Sequence, residues 1–136
     1  MHKRWFSRAL QSVVDARGCL VVGEIEKHVP FLTRRFFIAH SVPSTVVRGG
    51  HAHKTIEQFM VCVTGSVAVM LDDGTNRERI VLDSALKGLY VPPMVWDVQC
   101  DWSEGAVLLV LASKVFSEAD YIRDYDKFQS FLGAFN

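Results

Sequence analysis

The sequence is 136 residues long and 49% apolar, with fifteen basic and fifteen acidic side chains and a formal net charge of zero. That is one domain's length with enough apolar residues for a core, and too little positive charge for nucleic acid to be the main partner. No apolar run approaches the roughly 20 residues of a membrane span, so no membrane partner is expected.

The start, Met1-His2-Lys3-Arg4-Trp5-Phe6-Ser7-Arg8, is basic, but no apolar stretch of signal-peptide type follows. A cytoplasmic location is therefore expected. Cys19, Cys62 and Cys100 are odd in number and widely spaced, which predicts reduced, buried thiols and no cysteine metal site. Ser12-Val13-Val14 and Cys19-Leu20-Val21-Val22 flank Asp15-Ala16-Arg17-Gly18, the pattern of a hairpin. Val29-Pro30-Phe31 interrupts it, and Arg35-Phe36-Phe37-Ile38-Ala39 predicts a third strand. A turn at Ser41-Val42-Pro43-Ser44 leads to a strand that begins near His51 and His53. It runs on through Phe59-Met60-Val61-Cys62-Val63 to Thr64-Gly65.

Ser66-Val67-Ala68-Val69-Met70-Leu71 and Arg79-Ile80-Val81-Leu82 are separated by Asp72-Asp73-Gly74-Thr75-Asn76, a strong turn signal. Leu89-Tyr90-Val91 is a strand stopped by Pro92-Pro93, Val95–Cys100 follows, and the wholly apolar Ala106–Ala112 predicts a central strand. Many short strands joined by turns indicate a sandwich or barrel. Only the tail reads as helix. Ser117 is placed to cap it with Asp120 three residues on, and Ile122, Tyr125, Phe128 and Leu132 fall near a 3.6-residue period. The predicted fold is all-β, a jelly-roll barrel over residues 1–136 with a short C-terminal helix outside it.

Chemistry concentrates in Arg48-Gly49-Gly50-His51-Ala52-His53-Lys54-Thr55-Ile56-Glu57-Gln58. Side chains alternate along a strand, so His51 and His53 point the same way, about 7 Å apart along the chain. Two imidazoles in one cavity ligate a metal or move protons near neutral pH. The stretch resembles the first motif of cupins: a Gly, then His-x-His, then an acid, then six residues and a Gly. Gln58 occupies the acid's place on the count to Gly65, while Glu57 fits the shorter spacing from the histidines. Val91-Pro92-Pro93-Met94-Val95-Trp96-Asp97 resembles the second motif, with Asp97 where a ligand histidine would stand. His51, His53 and Asp97, with Glu57, would form a two-histidine, one-carboxylate iron set. Gln58 brings no charge to such a site.

Further residues carry a closer resemblance. They are Arg48-Gly49-x-His51-Ala52-His53-Lys54, Asp72-Asp73-Gly74, Gly88-Leu89-Tyr90-Val91, Leu109-Val110-Leu111-Ala112-Ser113 and Asp120-Tyr121-Ile122-Arg123-x-Tyr125. Together they resemble the dTDP-4-keto-6-deoxyglucose 3,4-ketoisomerases, small metal-independent cupins. The resemblance runs from about Asp15 to about Phe128.

It implies a homodimer exchanging N-terminal strands, no cofactor, and a dTDP-linked keto sugar in the barrel mouth with the paired histidines at its hexose. It also implies a place in deoxy-amino sugar biosynthesis for bacterial surface glycans, lipopolysaccharide O-antigen or S-layer. There are two departures: Phe37 where the family tends to carry Tyr, and Asp97 where it usually has His.

The expected catalytic set is His51, His53, Asp97 and Tyr90. The two histidines would share proton removal and return, Asp97 would orient an imidazole, and Tyr90 would offer a phenol. The expected substrate-binding set is Arg48, Lys54, Arg35, Gln58, Phe37 and Trp96. The cations would hold the pyrophosphate and Trp96 would stack on thymine. Tyr121, Arg123 and Tyr125 read as packing for the last helix. A metal-dependent cupin oxygenase and a non-catalytic nucleotide-sugar-binding module are the competing functions.

Overall fold

The structure is a computed structural model that describes residues 4–134; Met1, His2 and Lys3 of the basic start lie outside the described residues. Its strands, in chain order, are β1 (Phe6–Ala9), β2 (Gln11–Asp15), β3 (Gly18–Val22), β4 (Arg35–His40), β5 (Arg48–His53) and β6 (Gln58–Thr64). They continue with β7 (Val67–Asp72), β8 (Arg77–Leu82), β9 (Lys87–Val91), β10 (Trp96–Cys100), β11 (Val107–Ala112) and β12 (Tyr121–Ile122), and α1 spans Tyr125–Ala134.

Two five-stranded sheets face each other, in the orders β1-β9-β6-β11-β4 and β12-β5-β10-β7-β8. Their inner faces meet in a core built from alternating strand positions. Met60 and Cys62 of β6 and Leu108 and Val110 of β11 meet Val67, Val69 and Leu71 of β7. The sandwich, not a single closed sheet, forms the barrel. Among the described residues no helix is long and apolar enough to cross a membrane.

The hairpin forms as expected from β2 and β3, with the Asp15 carboxylate accepting the Arg17 backbone N–H in the turn. It stands apart as a two-stranded sheet, with Val13, Val14 and Leu20 exposed. Cys19 on β3 is exposed for the same reason, against the expectation of a buried thiol, whereas Cys62 is buried on β6. Val29 and Phe31 cover the outer face of the first sheet against Phe59, Val61 and Tyr90.

Two element boundaries differ from the sequence reading, and both shape the site. The histidines end a strand instead of starting one. β5 stops at His53, and β6 begins at Gln58 in the opposite sheet. The chain leaves the ladder between them because side chains take its amides. Asp120 accepts the N–H groups of Thr55 and Ile56, and Ser113 Oγ accepts that of Glu57.

The helix also starts later than Ser117. Ser117 makes no side-chain cap. Glu118–Asp120 form one 3-10 turn, and Tyr121 and Ile122 pair antiparallel with His53 and Ala52. Asp124 Oδ1 then accepts the Lys127 N–H, capping α1. Asp120 cannot serve as a helix-start residue because its carboxylate is already bound to the 55–56 loop. The helix packs through Phe128, and the Tyr125 hydroxyl donates to Asp72 on β7.

Candidate active site

β5 carries Arg48, Gly49, His51 and His53, and antiparallel pairing with β10 sets Asp97 opposite His51 and Gln99 opposite Arg48. Gly49 has φ +77°, and a Cβ there would meet the Asp97 carbonyl at 3.0 Å and Oδ1 at 3.1 Å. Glycine at this position lets β5 lie close enough to β10 to hold Asp97 against His51.

The two imidazole rings sit 5.2 Å apart, edge to face, both near the Tyr121 ring at 5.0 and 4.3 Å. His51 lines a cleft of about 580 Å³ with Arg35, Phe37, Arg48, Gln58, Gln99, Tyr121 and Arg123. Four buried polar atoms in this region lack a hydrogen-bond partner among the described residues: His51 Nε2, His53 Nε2, Gln58 Oε1 and Asp97 Oδ2. Buried polar atoms are seldom left unpaired, so such a cluster marks a place built to meet a polar ligand.

Each histidine has its own carboxyl. His53 Nδ1 lies 3.2 Å from Asp120 Oδ2. Asp120 also accepts Thr55 Oγ1 at 2.6 Å and the amides of Thr55 and Ile56. Burial pushes the Asp120 carboxyl up, but the Thr55 and Ile56 bonds outweigh it and hold the group below its usual range, as a carboxylate. A carboxylate only accepts, so the proton of a neutral His53 rests on Nδ1 and its Nε2 is bare.

Burial lowers His53 despite the opposing pull of Asp120. Burial first, then repulsion from His53 and Arg123, brings His51 down to about 4. Both rings are therefore neutral near pH 7, the form that accepts a proton.

Asp97 is the partner of His51, with 3.8 Å between Oδ2 and Nε2. Its side chain is 1% exposed, and Gln99 Nε2 reaches Oδ1 at 3.3 Å. Burial raises Asp97 to about 7, the Gln99 bond pulling weakly the other way.

Of the expected substrate-binding residues, Arg35, Phe37, Arg48 and Gln58 do line the cleft. The Arg35 guanidinium stacks over Phe37 at 4.8 Å and Phe116 at 5.3 Å. Three expected residues lie elsewhere. Tyr90 points to the outer face of its sheet, stacks on Phe6 and donates to Glu57 Oε1 at 2.7 Å. Burial and the Glu57 carboxylate push its phenol far above the ordinary value, so it does not trade protons near neutrality.

Trp96 neighbours Asp97 on β10 and so faces the other side, packed under α1 against Tyr125 and Phe128. Lys54 follows His53 and turns away likewise, its ammonium over Phe131 in a separate groove. The bond to Tyr90 also takes Glu57 out of the suggested metal set. Among the described residues no group of three or more His, Cys, Asp or Glu side chains is arranged to hold a metal ion.

Four site residues escaped the sequence reading: Asp120, Tyr121, Arg123 and Gln99. The guanidinium of Arg123 lies 4.1 Å over the Tyr121 ring and is paired with Glu118, so this turn brings a cation to the cleft. Their signal was the Asp120-Tyr121-Ile122-Arg123 run, read as helix packing. Period-2 alternation on β10 from Asp97 would have found Gln99.

A two-sheet jelly roll with a His-x-His pair at the mouth defines a cupin. Within that class, the family described as "FdtA: WxcM-like, C-terminal" matches residues 5–133, and the chain belongs to it. A TDP-4-oxo-6-deoxy-alpha-D-glucose-3,4-oxoisomerase of Aneurinibacillus thermoaerophilus is 43% identical over 126 residues, covering 93% of this chain and 91% of the relative. A 3,4-ketoisomerase from Helicobacter canadensis superposes with a TM-score of 0.94 at 35% identity, over 97% of this chain and 99% of the other. A mutant of the 3,4-ketoisomerase QdtA from Thermoanaerobacterium thermosaccharolyticum, solved with TDP-4-keto-6-deoxyglucose, gives 0.94 at 33% identity, over 98% and 97%.

Proposed function

We propose that this protein is a sugar-nucleotide 3,4-ketoisomerase, moving the keto group of a dTDP-linked 4-keto-6-deoxyhexose from C4 to C3. The carrying observation is the pair of neutral imidazoles, 5.2 Å apart, whose buried Nε2 atoms lack partners among the described residues, beside a cleft supplied with arginines. The family membership and the relatives' named activities agree with it.

The chemistry needs proton carriers and little else. One imidazole takes the C3 proton, and the C3–H electron pair becomes the C3=C4 bond of an enediolate. A proton delivered to O4, a proton delivered to C4 and the loss of the O3 proton then leave a hydroxyl at C4 and the ketone at C3. Arg35, Arg48 and Arg123 line the cleft and supply positive charge for the diphosphate. The product would feed deoxy-amino sugar synthesis for a surface glycan in the cytoplasm. A homodimer exchanging N-terminal strands fits the exposed Val14 and Leu20 of the β2–β3 hairpin, which find no cover among the described residues.

The test is incubation with dTDP-4-keto-6-deoxyglucose in deuterated water. Deuterium entering the hexose together with formation of the 3-keto isomer is the expected result. A sugar recovered without exchange or isomer would reject the reading and leave a binding module. Sedimentation at varied concentration checks the dimer, which a monomer at micromolar concentration would exclude.

A further inference from the structure

Gln58 is a polar side chain at the end of a row of core residues. Resting on the ketoisomerase reading, we propose that it is a specificity-determining residue whose Oε1 accepts the C2 hydroxyl of the hexose. The protein thereby selects 2-hydroxy sugars over their 2-deoxy counterparts.

The place of Gln58 in the fold carries the argument. It opens β6, and side chains alternate along a strand, so it shares the inner face with Met60 and Cys62. Those two belong to the core. Gln58 is nearly as buried, at 2% exposed, yet its Oε1 has no hydrogen-bond partner among the described residues. A buried amide without partners costs stability, and Met, close to Gln in size, would continue the row without that cost. Gln58 also lines the cleft. An unpaired acceptor in the wall of a cleft is explained by a ligand that pairs it.

The position is rigid. β6 lies between β9 and β11, with Gln58 opposite Val91 on one side and Ala112 on the other. The loop before it is tied at Ile56 by the Asp120 carboxylate and at Glu57 by Ser113 Oγ. An acceptor built on a fixed strand discriminates between ligands because it does not swing to find another partner.

The cleft sorts the parts of the ligand by chemistry. Arg35, Arg48 and Arg123 suit the diphosphate. His51 stands on the facing sheet and suits the carbons that exchange protons. Gln99, on that same sheet, directs its Nε2 to Asp97 Oδ1. Among the described residues, the polar side chains that the first sheet brings to the cleft are Arg35 and Gln58, and Gln58 is the uncharged one. A neutral acceptor matches a sugar hydroxyl.

The substrate offers two hydroxyls. In a dTDP-linked 4-keto-6-deoxyhexose, C1 carries the diphosphate, C4 the ketone and C6 no oxygen, which leaves O2–H and O3–H. O3 loses its proton in the isomerisation. An amide oxygen does not take up a proton near neutrality, so at O3–H it would only hold in place the proton that has to leave. O2–H is the hydroxyl that substrate, enediolate and product share. An acceptor there keeps its bond from start to finish and fixes the ring while C3 and C4 react.

The test uses dTDP-6-deoxyglucose and dTDP-2,6-dideoxyglucose, which carry a C4 hydroxyl in place of the ketone and so are not turned over. In calorimetric titrations of the full chain, the 2-hydroxy sugar should bind at least about fivefold more tightly, since its counterpart leaves the buried oxygen unpaired. Gln58→Met should bind the two sugars within about twofold of each other. It should also unfold at a temperature no lower than wild type, because an unpaired buried amide is gone. A merely structural Gln58 would give the opposite pattern, a lower melting temperature with the sugar preference intact, and that pattern overturns the proposal. Equal affinities in the wild-type protein overturn it whether or not the variant folds. Failure of the isomerase reading would appear instead as a wild-type protein without deuterium exchange on dTDP-4-keto-6-deoxyglucose.

Discussion

His53 and Asp120 stand 67 positions apart in the chain, yet their side chains meet at 3.2 Å inside the protein. The meeting follows from β12 pairing with β5, which sets Tyr121 opposite His53, and from the 54–57 loop wrapping its amides around the Asp120 carboxylate. One residue therefore shapes the loop after the histidine strand and fixes which nitrogen of His53 is free.

Asp120→Asn is expected to disturb both. An amide turned toward Nδ1 would donate to it and move the His53 proton to Nε2, the wrong end for a base. Turnover should fall by about 10²–10⁴-fold, as when a triad carboxylate is replaced by its amide. Steady-state kinetics set beside thermal unfolding separate the two effects. A large loss of kcat in a protein that still melts cooperatively at assay temperature is the expected outcome, and undiminished kcat would remove Asp120 from the proton route.

His51→Asn and His53→Asn should each lower turnover by about two or more orders of magnitude, the contribution of a positioned acid or base. Affinity for dTDP should change little, because the proposed nucleotide contacts are the cleft arginines and not the histidines. Calorimetric titration with dTDP beside kinetics on each variant checks both. Near-normal activity in either variant would mean that its histidine carries no essential proton.

The pH dependence of stability has a worked sign. Unfolded His51 binds its proton below about 6.5 while the folded ring stays neutral down to about 4, so this group adds stability as pH rises across that window. Asp97 does the reverse. Folded, it keeps its proton up to about 7, against 3.8 for the free group, so its contribution is full at low pH and is lost as pH rises. Between about 4 and 6.5 the two nearly cancel in the wild-type protein. Asp97→Asn removes the opposing member, and its unfolding free energy should climb more steeply with pH than wild type, by up to about 1.4 kcal/mol per pH unit. Urea titrations at several pH values measure the difference. Parallel curves would place the Asp97 carboxyl at an ordinary value.

Arg48 lines the cleft beside Gly49 and is exposed, free to meet a ligand. Its guanidinium can grip phosphate oxygens through two parallel hydrogen bonds, which an amide cannot copy. Arg48→Gln should weaken dTDP binding by about 1.5–3 kcal/mol, the range for hydrogen bonds to charged groups. Titration calorimetry with dTDP tests this without the keto sugar. An unchanged dissociation constant would shift the phosphate site toward Arg35 and Arg123.

The sequence alone determined the strand-rich architecture, the hairpin, the turn at Asp72–Asn76 and the His51/His53 pair, because these rest on local signals: period-2 alternation, turn chemistry and two-residue spacing. Its local pattern also carried Arg35, Phe37, Arg48 and Gln58 to the cleft side. Tertiary structure decided what local pattern cannot express. Trp96 and Lys54 adjoin site residues in the chain and Tyr90 pairs with Phe59, next to Gln58, but successive side chains turn to opposite faces. Asp120, Tyr121 and Arg123 sit inside a segment with helical spacing, and only the pairing of β12 with β5 pulls them out of a helix and against the histidines. Whether Asp97 is charged depended least of all on its neighbours in the chain. It is set by burial between two sheets and by the absence of a bonded cation among the described residues, both products of packing.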